Sequence, residues 1–361
     1  MTTSAYIHIP FCDHLCTYCD FCKRYNYEFI VNRYLDALES DIKDNYQGEV
    51  LKTIYIGGGT PSCLNIKELT KLMKIVKLLK LDNSYEFTFE CNPENITDEK
   101  LIILKENGVN RISLGVESTN DELLKYLGRN HDFKMVKEKV KLIKKYFNNI
   151  NVDLIYALPN ETINDLKSDL ENIVSLDINH ISTYSLEIHD NTILGIKKTK
   201  PILEDLDSDM YNEICCYLKE NDFKHYEISN FCKNGTYSRH NNVYWKNNEY
   251  YGFGLGASGY VNSIRYDNTR SMIKYVNGNR ILNKEKLTKK DKISYELILG
   301  FRLINGINKK DFEKKYGISL IEQYNIRDLI KQGLLVDDGK YIKVSYDKLY
   351  IENSILENFV D

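Results

Sequence analysis

No run of apolar residues in this 361-residue chain approaches the ~20 that cross a membrane, so a membrane-spanning protein is not expected. The start, "MTTSAYIHIPFC", lacks the basic and then apolar pattern of a secretory signal, and a cytoplasmic protein is the expectation. Charge of one sign is lacking too. With a formal net charge of −3, nothing global points to a nucleic-acid or polyanion partner. Proline is scarce, at five residues, and no low-complexity linker or internal repeat divides the chain. Trp245 is the single tryptophan, and there are only seven histidines. Hydrophobic residues make up 42%, enough for ordinary cores in roughly two to three domains.

Cysteine is not scarce. Nine occur, and four fall within "FCDHLCTYCDFC", residues 11–22. In a reducing compartment such a cluster is disfavoured as disulfides. Cys12, Cys16 and Cys19 form C-x3-C-x2-C. A thiolate trio on one loop suits a 4Fe–4S cluster, in which each iron takes one protein sulfur and one iron stays open. Zinc is the rival reading, with Cys22 as a fourth ligand, although no second ligand pair lies nearby. Coincidence is the third.

The first half of the chain alternates between strand and helix patterns. Strands are expected at 5–9, 53–56, 85–90, 111–116, 151–158 and 180–188. Helices are expected at about 27–45, 66–79, 97–108, from 117 to about 147, and 162–176. Thr97 reads as an N-cap and Gly108 as a stop. Six such units in about 190 residues predict an α/β fold, a partial (β/α)6 barrel like an incomplete TIM barrel. An open doubly wound sheet is the alternative. After residue 200 the rhythm changes to an α+β C-terminal region. A helix is expected at 206–221, then a stretch rich in Tyr, Asn and Gly. Helices near 291–303, 308–316 and 320–332 precede "GLLVDDGKYIKV", a two-strand wing with an Asp-Gly turn. The expected division is 1–200 for the barrel and 201–361 for the C-terminal region, the latter split into 201–285 and a winged-helix-like cap at 286–361.

The cysteine loop directly follows the first strand, at the strand end where barrel enzymes keep their sites. "YIGGGTPS" follows the second strand. Its glycines permit a close backbone approach to a ligand, or simply a tight turn. Glu90, Glu117 and Asp153 lie in or at the ends of later strands, and Arg129 lies in "LLKYLGRNH". Each also has a plain structural reading, as a helix cap or a surface charge.

"YIHIPFCDHLCTYCDF" together with "GGGT" resembles the radical S-adenosylmethionine (SAM) superfamily. The resemblance implies that Cys12, Cys16 and Cys19 hold a 4Fe–4S cluster whose open iron is chelated by SAM, with Cys22 a spare thiol. It implies that Gly58, Gly59 and Thr60 meet the SAM amino group and that Arg129 meets its carboxylate by a charged fork. Glu90 and Asp153 would contact SAM hydroxyls or the adenosyl part. Tyr6, Tyr18 and Glu117 complete the expected SAM set. Two departures stand out. Relatives usually carry Gln where this chain has Glu117, and "GLPGQT" where it has "ALPNET" (157–162).

Nearly the whole chain is similar to the HemN/HemW (oxygen-independent coproporphyrinogen III oxidase-like) family. The dehydrogenase branch has a fourth cysteine where Phe21 stands here, and an N-terminal extension that is not expected ahead of Cys12. The heme-chaperone branch has H-N-x-x-Y-W, matched by "HNNVYW" at 240–245. That resemblance implies a protein that carries heme to acceptor hemoproteins, with an electron donor serving the cluster and without coproporphyrinogen dehydrogenase activity. His240, Asn241, Tyr244 and Trp245 would meet the heme, since imidazole can ligate heme iron and aromatics can pack on the macrocycle. Read from the residues alone, the same segment is a packed loop. Both a monomer and a dimer remain open.

Overall fold

The computed structural model describes residues 2–360. Six strands carry the first half: β1 (Ser4–Ile9), β2 (Leu51–Gly58), β3 (Leu81–Cys91), β4 (Arg111–Glu117), β5 (Ile150–Tyr156) and β6 (His180–Ser185). Neighbours in this series pair in parallel. The crossovers are α1 (Glu28–Asn45), α2 (Ile66–Val76), α3 (Asp98–Glu106), the pair α4 (Asp121–Leu127) and α5 (Phe133–Ile143), and α6 (Ile163–Ser175). The caps explain several boundaries. Asn65 and Glu68 form a reciprocal box at the start of α2, and Thr97 accepts from the Lys100 amide at the start of α3. Gly128 ends α4 at φ 75°, in the left-handed region. The sixth strand stops at Ser185, short of the expected 188.

Period-2 alternation decides which side chains face the helices. In β3, Phe87 and Phe89 are buried core residues, while Glu86, Thr88 and Glu90 occupy the opposite face. The same division gives Thr53 and Tyr55 in β2, Ser113 in β4, Asn151 and Asp153 in β5, and His180 and Ser182 in β6. Barrel interiors of this class are usually filled by branched aliphatics. Here the interior is a polar network. Asn151 Nδ2 donates to Asp153 Oδ1 at 2.8 Å, and His180 Nδ1 lies 2.5 Å from Asn151 Oδ1. His180 Nε2 lies 2.8 Å from the Tyr226 hydroxyl, which also accepts from the Ser238 amide at 3.1 Å. With Asn151 Oδ1 as acceptor, His180 carries its proton on Nδ1 and takes the Tyr226 proton on Nε2. Buried polar groups that find partners in this way specify one arrangement.

The sheet continues past residue 200. Lys224–Glu227 (β7) and Asn230–Cys232 (β8) add antiparallel strands beyond β6, and Tyr251–Phe253 (β9) pairs in parallel with β1. The order is β9-β1-β2-β3-β4-β5-β6-β8-β7. Six parallel strands thus become seven, and the seventh comes from the Tyr-, Asn- and Gly-rich stretch. Three residues centred on a glycine carry no alternation to read. Gly252 is required there, because a Cβ would stand 1.9 Å from the Ser258 carbonyl oxygen. Strands Ser258–Val261, Ile264–Asn268 and Ile281–Lys286 form a three-stranded antiparallel sheet, with a short helix, Met272–Val276, between the last two. The C-terminal part has helices at 289–300, 309–316 and 326–331, and a second small antiparallel sheet in which 341–344 pairs with 335–337 and 307–308. No helix among the described residues is long and apolar enough to cross a membrane.

Candidate functional site

A cavity of about 540 Å³ opens at the carboxyl ends of the parallel strands. Cys12, Cys16 and Cys19 all line it. The loop that carries them is pinned from two sides. The Thr17 amide donates to the Leu127 carbonyl at 3.0 Å and its hydroxyl donates to Tyr126 O at 3.1 Å, so the end of α4 seats the loop. On the other side, the Thr60 amide donates to Phe11 O at 2.7 Å, and its hydroxyl lies 3.5 Å from Cys12 Sγ. A Cβ on Gly59 would stand 2.8 Å from Phe11 O and 2.9 Å from Cys12 Sγ. Gly59 therefore lets the two loops touch, while Gly57 and Gly58 leave room for Glu90 and His8.

Burial pushes the Cys12 thiol up to about 12 and raises Cys19 as well. Sulfurs in such surroundings become thiolates when a cation binds them. Among the described residues no three His, Cys, Asp or Glu side chains converge on one metal ion. A four-iron cluster does not ask for that, since each thiolate binds a different iron. Three sulfurs on one cavity wall suit such a cluster. Cys22 does not line the cavity; its thiol packs against Gly256, where a Cβ would stand 3.1 Å from Cys22 Sγ.

Gly58, Gly59, Thr60, Glu90, Glu117, Arg129, Asp153 and Tyr18, each expected from the sequence, line this same cavity. Glu90 accepts from the Tyr55 hydroxyl at 2.7 Å and from the Gly58 amide at 3.0 Å, and burial raises its carboxyl to about 7. Asp153, raised by burial, accepts from Ser113 at 3.2 Å and from Asn151. Arg129 donates to the Gly115 carbonyl at 2.5 Å and to Asn92 Oδ1 at 3.0 Å, and its Nη1 lies 3.5 Å from Cys16 Sγ. Its Nε is buried without a partner. An arginine with a spare buried N–H beside the cysteine loop suits a ligand carboxylate. Glu117 sits at φ 68°, accepts from Tyr18 at 3.1 Å, and lies 3.8 Å from Arg129 Nη1. Burial raises its carboxyl, and the Arg129 charge opposes the rise.

Tyr6 does not line the cavity. It sits one layer below, its hydroxyl 2.9 Å from His8 Nδ1 and its ring 6.1 Å from that of Tyr55. Sequence reading missed Tyr55 and Asn92. Tyr55 was visible as the inward residue of β2. Asn92 holds Arg129 and also donates to the Thr60 hydroxyl at 3.2 Å, and nothing in its local sequence announces that.

The "HNNVYW" segment lies at the opposite end of the barrel. The Arg239 and His240 amides donate to the two Glu86 carboxylate oxygens at 3.0 and 2.9 Å, which seats the segment under β3. His240 is 0% exposed and points into the barrel. Its Nδ1 is 2.8 Å from the Thr53 hydroxyl and its Nε2 is 2.8 Å from the Tyr244 hydroxyl. Burial depresses its pKa to about 3. Asn241 is half-buried beside Ser238. Trp245 faces a separate cavity of about 720 Å³, on the side where the barrel meets the C-terminal part.

A parallel barrel with a three-cysteine loop and a glycine turn at its strand ends defines a radical SAM-type protein. The sequence profile of the Radical SAM superfamily matches residues 6–173, and that of the HemN C-terminal domain matches 287–346. The heme chaperone HemW of Lactococcus lactis is 40% identical, with 99% of this chain and 97% of that protein covered. The HemW proteins of Bacillus subtilis and Escherichia coli are 36% and 32% identical, each over 99% of this chain and 99% and 98% of theirs. The chain belongs to the heme chaperone HemW family. In fold it is similar to coproporphyrinogen III oxidase (HemN) of E. coli, at a TM-score of 0.86 and 21% identity, covering 99% of this chain and 90% of that one.

Proposed function

We propose that this protein carries heme to acceptor hemoproteins and holds a 4Fe–4S cluster and SAM at the carboxyl ends of the barrel strands. The observation that carries the cluster and SAM part is the meeting of Cys12, Cys16, Cys19, Gly59 and Arg129 on one cavity. The heme part rests on full-length similarity to proteins named heme chaperones. When bound, the cluster and SAM supply one-electron reductive chemistry, for which an electron donor is needed.

The chain's own residues have distinct tasks. Cys12, Cys16 and Cys19 supply the sulfurs. Thr60 and Gly59 hold the loops together. Arg129 takes a carboxylate with its free N–H, and the Gly58–Thr60 turn and Glu90 take polar groups opposite. Phe21, exposed at 65%, stands where a dehydrogenase would place a fourth cysteine. That favours heme carriage over coproporphyrinogen decarboxylation.

His240 does not fit as an iron ligand in this arrangement, because both ring nitrogens are hydrogen-bonded inside the barrel. The test of the proposal is anaerobic reconstitution with iron and sulfide, followed by transfer of bound heme to an apo-hemoprotein and an assay with coproporphyrinogen III. Cluster formation with heme transfer and no turnover is expected. Turnover of coproporphyrinogen would overturn the reading in favour of the dehydrogenase.

A further inference from the structure

His240 turns inward while Trp245, five residues later on the same segment, lines the lower cavity. We infer that this cavity, between the 238–248 segment and the C-terminal part, is a tetrapyrrole site that grips the ring and its carboxylates and not its iron. The inference rests on the heme-carrier reading above and says where and how the heme would be held.

Four observations carry it. First, the cavity's 720 Å³ falls within the ~300–1,000 Å³ span of small-molecule sites. Second, its walls carry Tyr226, Trp245, Phe312 and Tyr341, flat groups suited to a macrocycle. Third, the Trp245 indole N–H is buried and has no hydrogen-bond partner. A buried indole normally finds an acceptor, and a ligand oxygen is one. Fourth, Arg239 and Lys246 stand on the wall with positive charge to offer. Arg239 gives only Nη1 to the Ser84 carbonyl. Lys315 is already paired with Glu296 at 2.5 Å, so it is not counted. Asp311 is on the wall as well and leaves a net positive pair against one carboxylate.

The lining contains no histidine, cysteine or methionine among the described residues. Imidazole, thiolate, thioether and phenolate are the protein ligands of heme iron. Of the phenols on the wall, Tyr226 is held by His180 and the Ser238 amide and Tyr237 by Lys224, which leaves Tyr341 as the one the free-base comparison below has to exclude. Recognition by ring and carboxylate alone suits a carrier. Strong axial bonds slow release, and a half-polar cleft lets the cargo go.

The experiment compares three probes on the full-length protein: hemin, metal-free protoporphyrin IX, and protoporphyrin IX dimethyl ester. Hemin and the free-base diacid should bind within about threefold of one another, and the ester at least about tenfold more weakly. Arg239→Gln with Lys246→Gln should weaken both diacids about tenfold and leave the ester unchanged. The wild-type comparison needs no variant, so misfolding of the double variant leaves the test standing. Hemin binding with the free base at least about thirtyfold weaker would overturn the inference and return the iron to a protein ligand. An ester as tight as the acid would overturn it as well. If none of the three binds, the heme-carrier reading itself falls.

Discussion

The imidazole of His240 lies 5.3 Å from the ring of Tyr55, centroid to centroid, inside the barrel. Tyr55 in turn gives its hydroxyl to Glu90 on the cavity that the cysteines line. His240 is thus a layer of the barrel's polar packing. Its burial depresses its pKa to about 3, below an unfolded value near 6.5. A base with a lowered folded pKa adds stability that is present above about pH 6.5 and lost as pH falls toward the folded value. His8 and His225, each near 4, act the same way. Replacing His240 with Gln should cost about 2–4 kcal/mol at pH 7, through two buried hydrogen bonds. It should also make the acid-side loss shallower by up to about 1.4 kcal/mol per pH unit. Urea unfolding at a series of pH values checks both. A variant as stable as the parent would contradict the placement.

Cysteine variants separate ligands from bystanders. Cys12→Ser, Cys16→Ser and Cys19→Ser should each lose most of the iron and sulfide taken up on reconstitution. Cys22→Ser should keep the wild-type content, because its thiol packs away from the cavity. Loss of the cluster in the Cys22 variant alone would reverse the assignment.

Gly59→Ala tests the contact between the two loops. Its methyl group would press on Phe11 O at 2.8 Å and on Cys12 Sγ at 2.9 Å, and backbone cannot yield cheaply. Cluster content should fall at least about fivefold while the chain stays folded by circular dichroism. Gly278→Ala, where nothing lies within 4 Å, strains the backbone at φ 81° but presses on neither loop, so the folded protein should keep its cluster content.

The two departures from the family pattern have one change in common, Glu for Gln; the second also puts Ala157 and Asn160, at φ 63° and 68°, where glycine is expected. Glu117 and Glu161 both stand where Gln is expected, both are buried, and burial raises both carboxyls. A protonated Glu161 has the shape of glutamine, whereas Glu117 is raised by burial but faces the Arg129 charge at 3.8 Å. Glu161 accepts from the Leu158 amide at 2.8 Å, and its other oxygen has no partner. Its pKa is near 8 folded, against about 4.3 unfolded. Its contribution to stability is therefore complete below about pH 4 and lost as pH rises through 8. Glu161→Gln cannot ionise, so its advantage over wild type should grow by about 3–4 kcal/mol between pH 5 and pH 8. A constant difference across that range would show that Glu161 is ionised in the fold.

Much of the upper cavity was legible in the sequence, because its chemistry sits in local motifs. C-x3-C-x2-C, the glycine triplet and the strand-end carboxylates each occupy a few adjacent residues. The six strands were legible as short apolar or alternating runs between helical patterns. β9 was not, since Tyr251–Phe253 is too short to show a period and owes its place to Gly252. Asn92 and Tyr55 act through contacts 32 to 37 residues away, which no local pattern encodes — only the folded sheet does. The direction of His240 is the largest revision. The resemblance implies that His240 meets the same ligand as Trp245. The Glu86 carboxylate instead takes the backbone of 239–240 and turns the ring into the barrel.

The most direct test of a two-ended molecule is a heme titration of cluster-loaded protein, read by Soret absorbance with and without saturating SAM. The account places SAM at the carboxyl ends of the strands and heme at the other face. It predicts saturable binding of one heme per chain at both SAM levels, with no displacement of either ligand. Competition between SAM and heme for one site, or no saturable heme binding, would contradict it.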